Sequence, residues 1–254
     1  MTNRRRSRIL SPSNWAEPTT LIMTRSIEDI AGMTELPIFP LPLVMVPGEV
    51  LPLHIFEPRY RQMLTDIGGV GGVFGITFAD PDAQSGAEAL AGSVGCAAEI
   101  IEAQTIDDGR SNIVTIGIGR YRLLGLIDDD KPYLVGDVAF FRDEPDEGTE
   151  AADLADEVYG LFERMAGAVS KMQGGRNNLP ELNRSDPETL SFVLSAALNF
   201  PNELKSRFLE MTSTGERLSG IRMVLAETVE QLEANSEILA AAKTNGHSNK
   251  KLDL

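Results

Sequence analysis

Residues able to carry redox or metal chemistry are scarce in this 254-residue chain, which has one cysteine and two histidines. A single cysteine excludes an intrachain disulfide and, with no secretory signal visible, favours a reducing compartment. We therefore predict a cytoplasmic protein. Cys96 lies in the strand-like run Val-Gly-Cys-Ala-Ala-Glu-Ile, where a small apolar core residue is the expected role.

Long apolar runs and positive charge are also scarce. No run reaches the ~18 apolar residues that a membrane helix requires, so we predict no membrane partner. Lys and Arg number 23 against 38 Asp and Glu, which gives a net charge of −15 and a pI near 4.6. Nucleic-acid binding needs a basic face, so a nucleic-acid partner is disfavoured and a solvated acidic surface is expected.

Catalytic motifs are missing as well. No Gly directly precedes a Lys, so the chain has no Walker A loop for ATP phosphates. Ser170 and Lys171 are neighbours on a predicted helix and point about 100° apart, which rules them out as a catalytic dyad. His54 is the one plausible general base, and no acid, Ser or Cys stands at a motif spacing from it. With no ligand spacing for a metal, we predict a non-enzyme without metal or cofactor.

What the chain does have is an apolar, proline-rich segment at residues 35–64. Leu36–Leu41 is predicted to be a strand, Pro47-Gly48 a turn, and Val50–Phe56 a second strand. A short helix is predicted over Glu57–Leu64, with Pro58 in its first turn. The prolines cannot donate ladder hydrogen bonds, so these strands are expected at sheet edges, bulges or barrel rims.

Alternation along the second strand separates its two faces. Leu51, Leu53 and Ile55 share one face, which we interpret as the core face. The opposite face carries Val50, Pro52, His54 and Phe56. His54 and Phe56 are therefore expected in a groove or under a neighbouring element.

The order and spacing of these residues resemble a known family. LPIFPL, then PG, then LPLHIFEPRYRQM is similar to the opening of the Lon protease amino-terminal domain, the Lon substrate-binding domain. SVGCAAEI, IVTIGIGRYRLLGL and PYLVGDVAFFRDE resemble its later strands, and residues 186–232 resemble its helical part. The resemblance extends from residue 35 to about 240. It implies an α+β fold in which an amino-terminal PUA-like twisted β pseudo-barrel precedes a carboxy-terminal all-α bundle.

The residues themselves suggest the same division. Short strands dominate up to residue 143; in the longest, at Ile113–Leu126, we expect Val114, Ile116 and Ile118 to point inward. From residue 149 apolar residues recur at helical spacing. Asp186-Pro187 and the pair Ser213 and Glu216 are typical of helix starts. We predict a disordered extension at 1–34, a Lon-type β domain at 35–143, a helical bundle at 149–242 and a disordered tail at 243–254. The Arg- and Ser-rich first sixteen residues also fit a targeting segment.

One cluster is the candidate peptide-binding site: His54, Phe56, Glu57, Arg59, Tyr60 and Arg61. Aromatic and Arg side chains are common anchors at binding surfaces, and edge strands accept extended peptides. The structural alternative gives each residue a packing, helix-start or ion-pair role. A second candidate surface is the seam between the two domains, beside the linker at residues 143–150.

The leading hypothesis follows from the resemblance. It implies a stand-alone, non-catalytic domain that binds unfolded or tagged polypeptides, with a separate protease or chaperone as a further candidate partner. The alternative is a small-molecule or RNA-binding PUA-like module. That alternative predicts a continuous basic groove formed by Arg59, Arg61, Arg110, Arg120 and Arg122.

Overall fold

The computed structural model describes residues 25–81, 87–106, 108–145, 149–172 and 186–245, with side chains described as far as residue 235. The elements in chain order are α1 (Ile27–Ile30), β1 (Glu35–Leu41), β2 (Val50–Ile55), α2 (Pro58–Asp66), β3 (Val73–Phe78), a 3₁₀ turn (Ala87–Leu90), β4 (Val94–Thr105), β5 (Ser111–Ile127), β6 (Leu134–Phe141), α3 (Glu150–Met172), α4 (Pro187–Ala197), α5 (Asn202–Glu210) and α6 (Thr214–Asn245). Strands come first and helices follow, as the predicted α+β fold requires.

The sheet closes on itself and leaves one strand outside the ring. Its order is β2-β5-β4-β3-β1-β6, and β5 pairs in addition with β6. The long β5 binds β2 with its first half and β6 with its second half. Five strands therefore form a closed pseudo-barrel, and β2 lies at an edge, paired only with β5 among the described residues. The prolines of residues 37–52 predicted edge, bulge or rim positions for both strands. The edge position is confirmed for β2, whereas β1 lies between β3 and β6.

Helix starts follow the sequence signals. Asp186 Oδ1 accepts from the backbone N–H of Thr189 at 3.0 Å, and Ser213 Oγ accepts from that of Glu216 at 3.1 Å. α2 starts with Pro58 and runs to Asp66, two residues beyond the predicted end. Glu57 is its N-cap residue, but the side chain makes no capping hydrogen bond. None of the described helices is long and apolar enough to cross a membrane.

The predicted disordered extension at 1–34 is wrong for its last ten residues. Residues 27–30 form α1, whose Ile30 is 1% exposed in the barrel core. The backbone N–H of Arg25 donates to Glu99, and that of Val138 donates to the carbonyl of Thr34. This segment packs because it supplies apolar side chains and backbone partners to the barrel. Residues 1–24 lie outside the described part of the chain.

The predicted carboxy-terminal tail at 243–254 also begins too early. α6 continues to Asn245, beyond the predicted bundle end at residue 242. Good helix formers in this stretch, such as Ala240, Ala241 and Lys243, favour continuation of the helix. Residues 246–254 lie outside the described residues, so their predicted disorder stays a prediction.

The bundle packs against the barrel through apolar and ionic contacts. Phe192 of α4 and Leu209 of α5 join a buried cluster with residues 44, 46 and 94 of the β part. Beside it, the buried carboxylate of Asp143 binds the guanidinium groups of Arg120 and Arg217. Sequence analysis did not identify this ionic cluster, because its members are 23 and 74 residues apart in the chain.

Candidate functional site

The outer face of β2 carries two of the six predicted site residues. His54 is exposed, and its Nδ1 shares a hydrogen bond of 2.7 Å with the side-chain oxygen of Asn112 on β5. Phe56 is 59% exposed, with its ring stacked 6.1 Å from that of His54. Leu51, Leu53 and Ile55 point the other way and pack on the barrel core, as the alternation predicted. A single exposed aromatic ring is common, but one that belongs to a contiguous apolar patch marks a candidate binding surface.

The exposed apolar surface continues across the pairing of β2 with β5. Val50, 54% exposed, pairs with Ile116, and Pro52 pairs with Val114. Paired residues of neighbouring strands share a face, so these side chains line up with His54 and Phe56. We call this surface the outer track. Its members are Val50, Pro52 and His54 of β2, Phe56 directly after β2, and Val114 and Ile116 of β5.

The prediction that Val114, Ile116 and Ile118 point inward was wrong for Val114 and Ile116, whereas Ile118 packs against a buried cluster of the barrel. All three are half-buried, whereas the residues between them, Thr115 and Gly117, are fully buried on the core face. Gly117 is required there, because a Cβ atom would lie 2.4 Å from the carbonyl oxygen of Val46. Val114 and Ile116 therefore lie on the outer surface, and Gly117 lies in the crowded interior.

The open edge of β2 adjoins the outer track. Pro52 has no N–H and so fits only where that position faces away from the ladder. Because ladder positions alternate, the backbone groups of Val50 and His54 also face the open edge. An extended peptide placed there has backbone acceptors and two donors to bind.

The seam between barrel and bundle holds a cavity that meets the outer track. Its volume is about 350 Å³. Ile116 and Ile118 line it from β5, and Phe192 and Val193 line it from α4. Of these, Ile116 also belongs to the outer track. The two surfaces that the sequence offered as competing sites are therefore contiguous.

Charged side chains surround the seam cavity. Arg142 pairs with Glu28 at its rim, and Glu188 lies 4.0 Å from Arg120. Burial, reinforced by the nearby charge of Asp143, raises the pKa of Glu188 above its ordinary value. Mixed charges at the rim and apolar side chains inside suit a segment of polypeptide better than a single small ion.

Glu57 and Arg59 neutralise each other at the start of α2. Arg59 Nε donates to Glu57 Oε2 at 2.8 Å, and both side chains are partly exposed. The Arg59 guanidinium also lies 4.5 Å from the centre of the Tyr60 ring. For Glu57 and Arg59, this ion pair is the role that the structural alternative to a binding site predicted.

Tyr60 does not belong to the exposed patch that was predicted with Phe56 and Arg59. It is 5% exposed, and its ring centre lies 4.0 Å from that of Phe39 in the barrel core. Burial raises the pKa of its hydroxyl. The reason is helical geometry: Tyr60 and Met63 are three residues apart and share the buried face of α2.

Arg61 lies away from the other site residues. It lines a groove between α2 and the β4–β5 hairpin together with Ser111. Ser111 pairs with Ile55, whose side chain faces the core, so this groove opens on the opposite face of the sheet from the outer track. The six predicted residues thus lie in four places: the outer track, the start of α2, the groove beside the β4–β5 hairpin, and the barrel core.

Groups that serve catalysis are not assembled around the candidate residues. Cys96 is fully buried, and burial raises the pKa of its thiol to about 12, so the reactive thiolate is not formed at neutral pH. Across the described residues, no three His, Cys, Asp or Glu side chains are grouped to hold a metal ion. What the outer track and the seam cavity offer is contact area and hydrogen bonds.

The five arginines of the alternative hypothesis do not form a continuous basic groove. Arg120 is buried with Asp143, Arg59 pairs with Glu57, and Arg110 pairs with Asp108. Arg122 donates to the carbonyl of Gly92 at 3.1 Å. Paired arginines attract phosphate weakly, so this surface gives RNA little to bind.

Comparison with known proteins identifies the family. The model of the ATP-dependent protease La (LON) substrate-binding domain matches residues 35–227. Lon protease 1 of Hydrogenovibrio crunogenus (strain DSM 25203 / XCL-2) is 23% identical over 213 residues, which cover 83% of this chain and 25% of that protein. The chain therefore spans about a quarter of the length of this relative.

Two solved structures share the fold. The crystal structure of a Lon N-terminal domain protein from Xanthomonas campestris has 24% identity and a TM-score of 0.52, and covers 76% of this chain and 98% of its own. The N-terminal domain of the Mycobacterium avium complex Lon protease has 18% identity and a TM-score of 0.51, with 77% and 98% covered. The family match extends over most of the chain, and the barrel followed by helices agrees with both structures. The chain is a member of the LON substrate-binding domain family.

Proposed function

We propose that this protein is a non-catalytic substrate-recognition domain that binds unfolded or tagged polypeptide segments in the cytoplasm. The observation that carries the proposal is the outer track, an exposed apolar strip on an edge strand that leads into the seam cavity. Family membership supports a polypeptide as the ligand. A role as adaptor for a separate protease or chaperone is the form of this activity that we favour.

The geometry of the outer track suits an extended segment. Val50 and Phe56 are each more than half exposed, at opposite ends of β2. A strand rises about 3.4 Å per residue, so these ends are about 20 Å apart. A segment of about eight residues would add backbone hydrogen bonds along the open edge and place alternate side chains against the track.

Burial of the exposed apolar side chains of the outer track would stabilise a complex with a peptide. Burying an exposed aromatic or aliphatic side chain stabilises a complex by about 1.5–3 kcal/mol. Phe56 and Val50 are each more than half exposed in the folded chain, so burial of that exposed surface is available to a ligand. Folded proteins seldom expose a suitable extended apolar segment, and this gives preference for unfolded chains.

The decisive experiment is binding of a permanently unfolded protein, reduced and alkylated, to the purified protein by calorimetry. We expect binding that weakens by about 1–3 kcal/mol for Phe56→Ala, the scale of interface hot spots. Met223→Ala is the matched control, because Met223 is 66% exposed on α6 in the helical bundle. Absence of binding at high micromolar concentration, by calorimetry and by crosslinking, would count against the proposal.

A further inference from the structure

The groove that contains Arg61, which we call the hairpin groove, has a volume of about 730 Å³. One wall is a stripe of α2 formed by Pro58, Arg61, Gln62 and Thr65, whose spacing of three and four residues places them on one side of the helix. The other wall is the tip of the β4–β5 hairpin. The hairpin groove shares no lining residue with the outer track or the seam cavity.

Arg61 is a cation without a partner inside this groove. Its neighbours in sequence and space are neutralised, Arg59 by Glu57 and Arg110 by Asp108. Arg61 is half-buried, and its guanidinium makes no hydrogen bond or ion pair with any described residue. Among the lining residues it is the one that carries charge. A half-buried guanidinium with unused donors is costly unless a ligand supplies the acceptor.

The Arg61 guanidinium lies against Gly109 at the hairpin tip. A Cβ atom on Gly109 would lie 2.2 Å from Arg61 Nη2, so the group rests directly on the turn backbone. Gly109 also has φ of +81°, a conformation that L residues rarely adopt. The turn therefore both requires a glycine and leaves the space that the guanidinium fills.

Two hydroxyl groups complete the donor set. Thr105 and Ser111 face each other across the β4–β5 ladder and both line the groove. Neither has a side-chain hydrogen bond within the described chain. The remaining polar side chains are already engaged, since Gln62 donates to Asp66 and Thr65 donates to the carbonyl of Arg61. The free donors are thus the fork of Arg61 and two hydroxyls.

We propose that the hairpin groove binds a carboxylate group of a polypeptide ligand, with Arg61 as the bidentate donor and Ser111 and Thr105 as further donors. The planar fork of Arg matches the two oxygens of a carboxylate. One unpaired cation balances one negative charge, whereas a doubly charged phosphate would leave excess charge on a protein of net charge −15. This proposal deepens the proposed function and rests on it for the choice of a polypeptide.

The groove has room for more than a carboxylate, so residues flanking that group enter with it. A polypeptide presents carboxylates at its carboxyl end and on Asp or Glu side chains. Four N-acetylated octapeptides of otherwise identical neutral sequence separate these sources: the free acid, its amide, the amide with a central Glu and the amide with a central Gln. Their dissociation constants are measured by fluorescence anisotropy.

We expect the free acid or the Glu peptide to bind at least about tenfold more tightly than its neutral counterpart, the scale of a charge-assisted hydrogen bond. Whichever of the two binds more tightly identifies the source. Arg61→Gln removes this preference, and Arg61→Lys, which keeps the charge but loses the fork, retains a part of it. Arg110→Gln is the control, because Arg110 is equally close to the hairpin tip but already paired. Equal binding of acid and amide, and of Glu and Gln peptides, overturns the proposal.

Failure of the two proposals can be told apart. Phe56→Ala weakens all four peptides alike and leaves the ratio of acid to amide unchanged, since it lies on the other face of the sheet. If no peptide binds the wild-type protein, the proposed function fails. Acetate alone is then titrated while the NMR signal of the backbone N–H of Gly109, which lies against the guanidinium, is followed. A saturable shift that Arg61→Gln abolishes supports the groove as a carboxylate site, and no shift overturns it.

Discussion

Arg120 of the barrel and Arg217 of the bundle bind the two oxygens of one carboxylate, that of Asp143. All three side chains are at most 4% exposed. Arg217 also donates to Ser191 of α4 at 2.7 Å, and Arg120 donates to the carbonyl of Leu209 at 3.0 Å. This cluster joins β5, the linker after β6, and three helices. It holds the bundle against the barrel and so fixes the wall of the seam cavity.

Asp143→Asn tests this cluster. The substitution leaves two buried guanidinium groups without a full counter-charge, and removal of one partner of a buried ion pair costs about 3–5 kcal/mol. We expect that loss in the free energy of unfolding, measured by urea denaturation at pH 7. Asp137→Asn is the control, because Asp137 is exposed on β6. A loss of less than 1 kcal/mol for Asp143→Asn would show that the cluster does not hold the seam.

Acid should unfold the wild-type protein through the same carboxylate. Burial opposes ionisation of Asp143, but hydrogen bonds from Arg217 and Thr214 and the charge of both arginines outweigh it, so its pKa is lowered. The unfolded Asp binds its proton with a pKa of about 3.9. The stabilisation is therefore complete above about pH 4 and is lost as pH falls through the lower folded-state pKa. Glu188, with a raised pKa, contributes with the opposite sign.

The measurement is the free energy of unfolding between pH 7 and pH 2.5, for the wild type and for Asp143→Asn. The wild type should lose stability steeply below pH 4, and the variant should show a shallower dependence. Parallel curves would mean that other carboxylates govern acid unfolding.

Phe56 and Tyr60, four residues apart, should respond in opposite ways to truncation. Tyr60→Ala removes a buried ring that packs on Phe39, and we expect a loss of about 3–5 kcal/mol in the free energy of unfolding. Phe56→Ala removes a ring that is 59% exposed, so stability should change by less than about 1 kcal/mol. The free energy of unfolding of both variants is measured by chemical denaturation. If Phe56→Ala unfolds the protein, Phe56 is structural and the outer track loses its main anchor.

Combining Phe56→Ala with Arg59→Ala should weaken peptide binding by roughly 1–3 kcal/mol and leave the fold intact. Arg59 is partly exposed, and its partner Glu57 is also in solvent, so loss of the pair costs little stability. Anisotropy of a labelled apolar decapeptide gives the affinity. A folded double variant that binds normally would shift the site to the seam cavity.

The continuity of the outer track with the seam cavity predicts a dependence on peptide length. Ile116→Thr keeps a β-branched residue on β5 but replaces an ethyl group by a polar hydroxyl. It should weaken a decapeptide about as much as Phe56→Ala does, and the two changes should add, because they lie far apart on one bound segment. A tetrapeptide should respond to one of them alone. If Ile116→Thr leaves the affinity for the decapeptide unchanged, the outer track and the seam cavity do not bind one continuous segment.

Segments with strong local signals could be predicted from the sequence. The alternation of β2 correctly divided Leu51, Leu53 and Ile55 from His54 and Phe56, because a strand has a fixed period of two. The start of α4 followed from Asp186-Pro187, and the start of α6 from Ser213, since capping depends on neighbouring residues. The family was recognisable because LPLHIFEPRYRQM is an unusual order of residues.

The inward face of β5 was not predictable in the same way. At residues 114–117 the strand carries Val114 and Ile116 on its outer face and a threonine and a glycine inside, since Gly117 must approach Val46 and Thr115 donates to the carbonyl of Leu51. An assignment from apolar periodicity alone therefore places the wrong face of this part of β5 in the core. The ordering of residues 25–34 was missed for a related reason: a short segment has weak signals of its own and is held by partners distant in sequence.

The sequence by itself determined the family, the order of strands and helices, and which side chains of β2 avoid the core, because these depend on residue order and local geometry. Only the tertiary structure decided that six neighbouring candidates belong to different places. Phe56, Tyr60 and Arg61 follow one another closely, but a strand end and a helix turn send one ring into solvent, one into the core and one guanidinium into the hairpin groove. The pairing of Arg120 and Arg217 through Asp143 was likewise settled by folding, which brings together charges that the chain keeps far apart.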